Sequence, residues 1–293
     1  MQNNERNLHQ LEKVVVIAAL AAVFALTFGF AQAGDKRVKR SDEVYLRSAV
    51  ALVQDARSGE ILIAKNQGAV LPIASITKLM TAMVILDSGV NLEQRVAISD
   101  EDYDNLKGTR SRLRPGSVLT RDELLLLALM SSENRAAFSL ARTYPGGITA
   151  FVAAMNDKAR ALGMADTKFI DPTGLSSGNV STAQDLARMV RAAHEYPLIR
   201  QYSTRDGATV QALGRSIGYR NTNGLVRSAH WDIGLSKTGY ISEAGRCLVM
   251  RVRMQSRDVV VVLLDSWGKL SRVGDANRIK KWLETHAPAG PRS

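Results

Sequence analysis

"LPIASITKLMTAMV", Leu71 to Val84, is the stretch on which the fold turns. It contains Ser75-Ile76-Thr77-Lys78, a serine and a lysine three positions apart. Two readings compete: a nucleophile with its base one turn away, or the first turn of an ordinary apolar helix with a solvated lysine. Ser75 follows Pro72 and opens "ITKLMTAMVIL", whose spacing is helical, so positions i and i+3 share a face. A serine at a helix start also meets unpaired backbone N–H groups and the positive helix end. Ser-x-x-Lys should arise by chance about once in a chain of this length, and Ser266-Trp267-Gly268-Lys269 is a second match. That copy sits at the end of a strand-like run; only the first opens a helix.

Upstream of this stretch, "SAVALVQD" and "EILIAKN" flank the turn "ARSG", which reads as a β-hairpin. Downstream, from about Ile73 to Arg200, the chain is mainly helical. Thr120-Arg121-Asp122-Glu123 fits a capping box ahead of "LLLLALM", and Ser181-Thr182-Ala183-Gln184 fits the same pattern ahead of "DLARMVRAAHEY", with Pro197 as its stop. "TAFVAAMNDKARALG" is a helix with Gly163 at its C′ position, and "LRPGSVLT" a turn. "DIGLSKTGY", "GRCLVMRVRM" and "DVVVVLLDSW" then return to strands, and a helix from about Asp275 to His286 closes the run. A lone hairpin is only marginally stable. The N-terminal hairpin is therefore expected to join the C-terminal strands in one antiparallel sheet, with a helical lobe inserted between: an α+β fold. A site is expected in the cleft between sheet and lobe.

Two more short motifs fall in informative places. Ser132-Glu133-Asn134 interrupts two strongly apolar helical runs, where polar side chains need partners; helix capping by Ser131 or Ser132 is the plain alternative. Ser177-Gly178-Asn179 repeats the pattern. Lys237-Thr238-Gly239 occurs once, against about 0.1 expected, on a strand-like segment where Gly239 would allow a substrate backbone close approach. Gly214-Arg215-Ser216-Ile217-Gly218 matches the G-x-S-x-G nucleophile elbow, but that motif needs a buried strand before it and a helix after it, and polar, loop-like sequence flanks it here. There is no P-loop, GxGxxG, HExxH or CxxC. The chain has four histidines, none spaced with another ligand as a metal site requires. Its one cysteine, Cys247, lies in an apolar strand and reads as a buried structural thiol. No metal or cofactor is expected.

Ser-x-x-Lys, Ser-x-Asn and Lys-Thr-Gly, in that order, form the motif set of the penicillin-binding proteins and serine β-lactamases. With "SRLRPGSVLTRDELLLLALMSSENRAA", "DPTGLSSGNVSTAQDLARM", "RNTNGLV" and "LSKTGY", the chain resembles the low-molecular-mass D-alanyl-D-alanine endopeptidases of the penicillin-binding protein 7 type, over nearly all of its length after Asp42. The resemblance implies the β-lactamase/DD-peptidase-like fold and a set of roles. Ser75 would be the acylated nucleophile and Lys78 its proton acceptor, held neutral by burial and by the charge of Lys237. Ser132 would shuttle the proton to the leaving amine, and Asn134 would hold Lys78 and a substrate amide. Lys237 and Thr238, with Gly239 on the same strand, would bind a substrate carboxylate. The N–H groups of Ser75 and Tyr240 would form the oxyanion hole.

The implied substrate is the D-alanyl cross-bridge of peptidoglycan, with β-lactams as covalent inhibitors. A D-alanyl-D-alanine carboxypeptidase is the alternative. A serine β-lactamase would need an E-x-x-L-N loop, which is missing; a non-catalytic β-lactam sensor or wall-binding scaffold is a further rival. The formal charge of +11 suits an anionic wall or a peripheral membrane association, and no nucleic-acid motif accompanies it. A polar start, the apolar run "VVVIAALAAVFALTFGF" and "AQA" read as a signal peptide over residues 1–33, with an uncleaved single-span anchor as second reading. A linker over 34–42, a catalytic domain over 43–287 and a tail over 288–293 complete the expected organisation, in a periplasmic protein.

Overall fold

The strand "DVVVVLLDS" carries six consecutive buried aliphatic side chains, Val259 to Leu264. An unbroken apolar run of that length suits a strand covered on both faces. The computed structural model, which describes residues 44–255 and 257–286, places it centrally. Five strands form an antiparallel sheet: β1 (Ser48–Asp55), β2 (Ile61–Lys65), β9 (Asp232–Ile241), β10 (Gly245–Met254) and β11 (Arg257–Ser266), in the spatial order β2-β1-β11-β10-β9. The N-terminal hairpin therefore joins the C-terminal strands as expected, with Val53 opposite Val261 and Val249 opposite Lys237. The proposed leader, linker and tail lie outside the described residues.

Strand alternation divides the core in two. Val260, Val262 and Leu264 face the helical lobe. Val259, Val261 and Leu263 face the other side, against Ala276, Ile279 and Leu283 of the closing helix. That helix spans Ser271–His286, one turn longer than expected. Its buried Asp275 accepts hydrogen bonds from Ser48 N at 2.7 Å and Arg47 N at 3.0 Å, tying the closing helix to the start of β1.

The lobe is built on α1 (Lys78–Asp87), buried from Lys78 to Ile85. A helix apolar on all sides belongs in the centre, and α2 (Arg121–Met130), α3 (Asn134–Arg142), α4 (Gly147–Ala161), α5 (Ala183–His194) and α6 (Pro197–Thr204) complete the lobe. The Thr120–Glu123 capping box forms: Thr120 Oγ1 accepts from Glu123 N at 3.1 Å, and Glu123 Oε2 accepts from Thr120 N at 2.9 Å. Gly163 follows α4 with φ +69°, as its C′ position requires.

Several boundaries differ from expectation. The cap of α5 is Thr182, which accepts from Asp185 N at 3.1 Å; Ser181 instead pairs with Thr167 Oγ1 at 2.7 Å. Pro197 does not stop α5, which ends three residues earlier, but opens α6, where its missing N–H costs nothing. Two short strands, β3 (Leu71–Pro72) and β6 (Val180–Ser181), pair with each other, and "LRPGSVLT" ends in β5 (Val118–Thr120), paired with β4 (Arg95–Ala97). Gly207–Ala212 and Arg215–Arg220 form a β7–β8 hairpin absent from the sequence reading, and Ser216 lies on β8 opposite Gln211. Ser216 thus lies inside a strand and not at a strand-to-helix turn, so the G-x-S-x-G match is no nucleophile elbow.

Candidate active site

Ser75 does not open an α-helix. It sits in a 3-10 turn, Ala74–Thr77, and α1 begins only at Lys78. The geometric consequence survives and sharpens, because i and i+3 eclipse in a 3-10 turn. Ser75 Oγ is 2.8 Å from Lys78 Nζ. The turn is strained: Ala74 takes φ +48°, a left-handed conformation unfavourable for a residue with a Cβ. Neighbouring groups hold it there. Ile73 N donates to Asn179 O at 3.1 Å, Thr77 Oγ1 donates to Ala74 O at 2.8 Å, and Asn179 Nδ2 donates to Thr77 Oγ1 at 3.0 Å.

Lys78 is fully buried, and its Nζ has three oxygen neighbours: Ser75 Oγ at 2.8 Å, Asn134 Oδ1 at 2.7 Å and Thr173 O at 2.7 Å. Two of these can only accept hydrogen bonds. A neutral amine has two N–H donors and one lone pair. With both donors spent on Asn134 and Thr173, the lone pair is left facing the Ser75 hydroxyl. Burial lowers the Lys78 pKa to about 7, against the opposing pull of Asp171, Glu133 and Asp104. Burial, then the charges of Lys78 and Arg272, push Lys237 well below an ordinary lysine.

A lowered pKa means that the neutral, proton-accepting form of Lys78 gains population as pH rises through about 7. The rate constant for penicillin acylation is therefore expected to climb roughly tenfold per pH unit on the acid side and to level off above that point. A profile flat from about pH 5 to about pH 9, followed by stopped-flow or gel labelling, would exclude Lys78 as the base.

Ser132 lies in the link between α2 and α3, and Asn134 is the first residue of α3. Neither Ser131 nor Ser132 caps α3; Glu133 does, accepting from Arg135 N at 3.3 Å. Ser132, at φ +61°, is thereby turned toward the sheet, and Lys237 Nζ donates to its Oγ at 2.8 Å. The opposite face of the Asn134 amide donates to Thr109 Oγ1 at 2.9 Å.

Lys237, Thr238 and Gly239 lie on β9, the edge strand that borders the cleft. Lys237 and Thr238 are buried, whereas Tyr240 is 57% exposed. Gly239 also meets the nucleophile turn. A Cβ there would lie 3.0 Å from Ile73 O and from Ser75 N. The missing side chain lets β9 press on the nucleophile turn itself, and this brings the Ser75 and Tyr240 backbones side by side. All eight residues singled out in the sequence thus converge on one site. Cys247, on the neighbouring strand β10, is buried, and burial pushes its thiol up to about 11.

Two contributors escaped the sequence reading. Thr222 Oγ1 pairs with Thr238 Oγ1 at 2.6 Å and anchors its hydroxyl. The Asp171–Asn179 loop supplies the Thr173 carbonyl to Lys78. Asp171 shapes that loop by accepting from Thr173 N at 2.6 Å, Gly174 N at 2.8 Å and Ser176 N at 3.1 Å. The Asp-Pro-x-Gly pattern signals a turn but does not reveal which backbone oxygen it delivers.

The sequence profile of the D-alanyl-D-alanine carboxypeptidase family matches residues 36–267. The chain belongs to that family. Among its relatives, a D-alanyl-D-alanine endopeptidase of Pseudomonas aeruginosa is 51% identical over 242 residues, covering 82% of this chain and 78% of the relative. One of Escherichia coli, also a D-alanyl-D-alanine endopeptidase, is 43% identical over 274 residues, covering 92% and 88%. Among solved structures, the Streptomyces K15 DD-transpeptidase superposes with a TM-score of 0.77 at 26% identity, over 83% of this chain and 99% of that one. The family fold matches the α+β architecture expected from the motif order.

Proposed function

We propose that this family member is a penicillin-sensitive serine DD-peptidase that cleaves D-alanyl cross-bridges of peptidoglycan through an acyl-enzyme on Ser75. The observation that carries the reading is the buried Lys78 amine, 2.8 Å from Ser75 Oγ with its other hydrogen-bonding positions occupied. As Ser75 Oγ attacks the D-alanyl carbonyl, its proton passes to Lys78 Nζ. The N–H groups of Ser75 and Tyr240 take the developing oxyanion. Ser132 relays a proton to the leaving amine, and Lys237 and Thr238 hold the carboxylate beside it. Water then releases the acyl group and restores Ser75.

Endopeptidase action is favoured over carboxypeptidase action by the names of the two relatives. Both substrates present a carboxylate next to the leaving amine, so β9 would serve either. β-Lactams, which carry a carboxylate and a strained amide, would acylate the same serine. Their release would be slow, because the Asp171–Asn179 loop presents Lys78 with a carbonyl and turns its one carboxylate, Asp171, onto its own backbone. The leader over residues 1–33 would export the protein to the periplasm, where its wall substrate lies.

The test is a digest of purified, cross-linked peptidoglycan with fragment analysis by chromatography and mass spectrometry. The expected result is loss of cross-linked dimers with little free D-alanine. Release of D-alanine with dimers intact would convert the assignment to a carboxypeptidase. Absence of both would sink it.

A further inference from the structure

Two segments that reach Asn134 and Thr238 also line a basic groove. One wall is the segment from Thr109, which bonds Asn134, to Ser117; Arg112 lies three residues past Thr109, at most about 10 Å away along an extended chain. The other wall is the β7–β8 hairpin, whose last residue, Arg220, is two residues from Thr222, the partner of Thr238. Two cavities lie along this path. One, of about 440 Å³, is lined by Arg112, Arg114 and Arg215 with Ser111, Ser117 and Ser216. The other, of about 810 Å³, is lined by Arg112, Arg205, Arg220 and Tyr219. Arg112 joins them, held 3.9 Å above the Tyr219 ring and donating to Gly218 O at 2.5 Å.

The charge in this groove is uncompensated. Among the described residues, the side chains of Arg114, Arg215 and Arg220 have no ion-pair or hydrogen-bond partner. The one acid in the lining, Asp206, is engaged by Arg227 at 3.3 Å. Each cavity also borders a buried hydroxyl with no partner among the described residues: Ser117 Oγ in the first, Tyr219 OH in the second, in residues 1% and 3% exposed. Buried hydroxyls are ordinarily satisfied. Unpaired guanidinium groups gathered along one groove are the chemistry of a carboxylate site.

We propose that the groove between the Thr109–Ser117 segment and the β7–β8 hairpin is a subsite for the carboxylates of the peptide strand that carries the scissile bond. This rests on the peptidoglycan reading above. Arg114 and Arg215 grip the strand away from the reacting carbonyl, and Arg112 marks the path between that grip and Asn134.

The experiment measures binding by calorimetry, so turnover is not needed. The Ser75→Ala protein is titrated with a cross-linked muropeptide dimer bearing free carboxylates and with the same dimer carrying carboxamides. The titrations are repeated after adding Arg114→Gln and Arg215→Gln, with the thermal midpoint of each protein checked. The acidic dimer is expected to bind about tenfold more tightly than the amidated one, with an advantage that shrinks at high salt. The two arginine substitutions should erase that advantage and leave the amidated dimer's affinity unchanged. Equal affinities for the two dimers before the arginines are replaced, or an equal loss for both afterwards, would overturn the subsite alone. Failure to bind either dimer would overturn the peptidoglycan reading and the subsite with it.

Discussion

Lys78→Met will fold, and penicillin will not acylate it at a measurable rate. The substitution keeps the length and the apolar stem of the side chain inside the α1 core, where Lys78 is fully buried. It removes an amine whose ionised form burial already disfavours. It leaves Asn134 Oδ1 and Thr173 O without their donor, a loss of about 1–3 kcal/mol for each acceptor at most. The midpoint of unfolding should therefore fall by several degrees and remain cooperative. Chemistry suffers far more. No histidine is among the residues brought to the site, so nothing replaces the base, and general-base catalysis is worth about 10²–10⁴ in rate. Intact-mass measurement after penicillin treatment should show a full adduct on the wild-type protein, mapped to Ser75, and none on the variant. An adduct on the variant at the wild-type rate, or on any residue but Ser75 in the parent, would refute the assignment.

Gly174→Ala will cost both stability and activity, without altering any group that touches substrate. Gly174 takes φ +78°, and a Cβ there would lie 1.9 Å from Ala74 O and 2.8 Å from Thr77 Oγ1. Neither neighbour is the far end of a flexible side chain; one is the backbone of the nucleophile turn. The left-handed conformation costs about 1–2 kcal/mol with a Cβ, and the overpacking about 1–3 kcal/mol more. The loop must lift or the turn must move. Either way Thr173 O leaves Lys78 and Ser75 loses its alignment. A calorimetric midpoint lowered by roughly 5–15 °C is expected, together with acylation slowed at least about tenfold. Wild-type acylation at a wild-type midpoint would show that the loop does not set the geometry of the turn.

The motif trio was legible because each member is a local string of side chains, and the order of strands and helices around it carried the fold. What stayed hidden depends on backbone. Thr173 contributes a carbonyl oxygen, which any residue possesses, so only the folded loop distinguishes it. The 3-10 form of the Ser75 turn has no signature of its own; it follows from β9 pressing in at Gly239 and the Asp171–Asn179 loop pressing in at Gly174. The β7–β8 hairpin does alternate, at Ala208, Val210 and Ala212 and at Ile217 and Tyr219, but so few and such small apolar residues among arginines and glycines make a weak strand signal. That two lysines would repel each other is visible in sequence; that Asp171, Glu133 and Asp104 gather near Lys78 and oppose the lowering of its pKa is visible only in the fold.

The pairing of β1 with β11 also fixes when this protein can finish folding. Asp55 lies opposite Val259 and Ser48 opposite Ser266. More than two hundred residues separate these partners, and the whole helical lobe is strung between them. Until the last strand has emerged, the first hairpin has no neighbour on its inner edge and the apolar face of α5 has only a fragment of sheet to cover. Long-range pairing of this kind is slow to nucleate. The chain is thus kept open for as long as it is being made, and closes only once its final strands arrive.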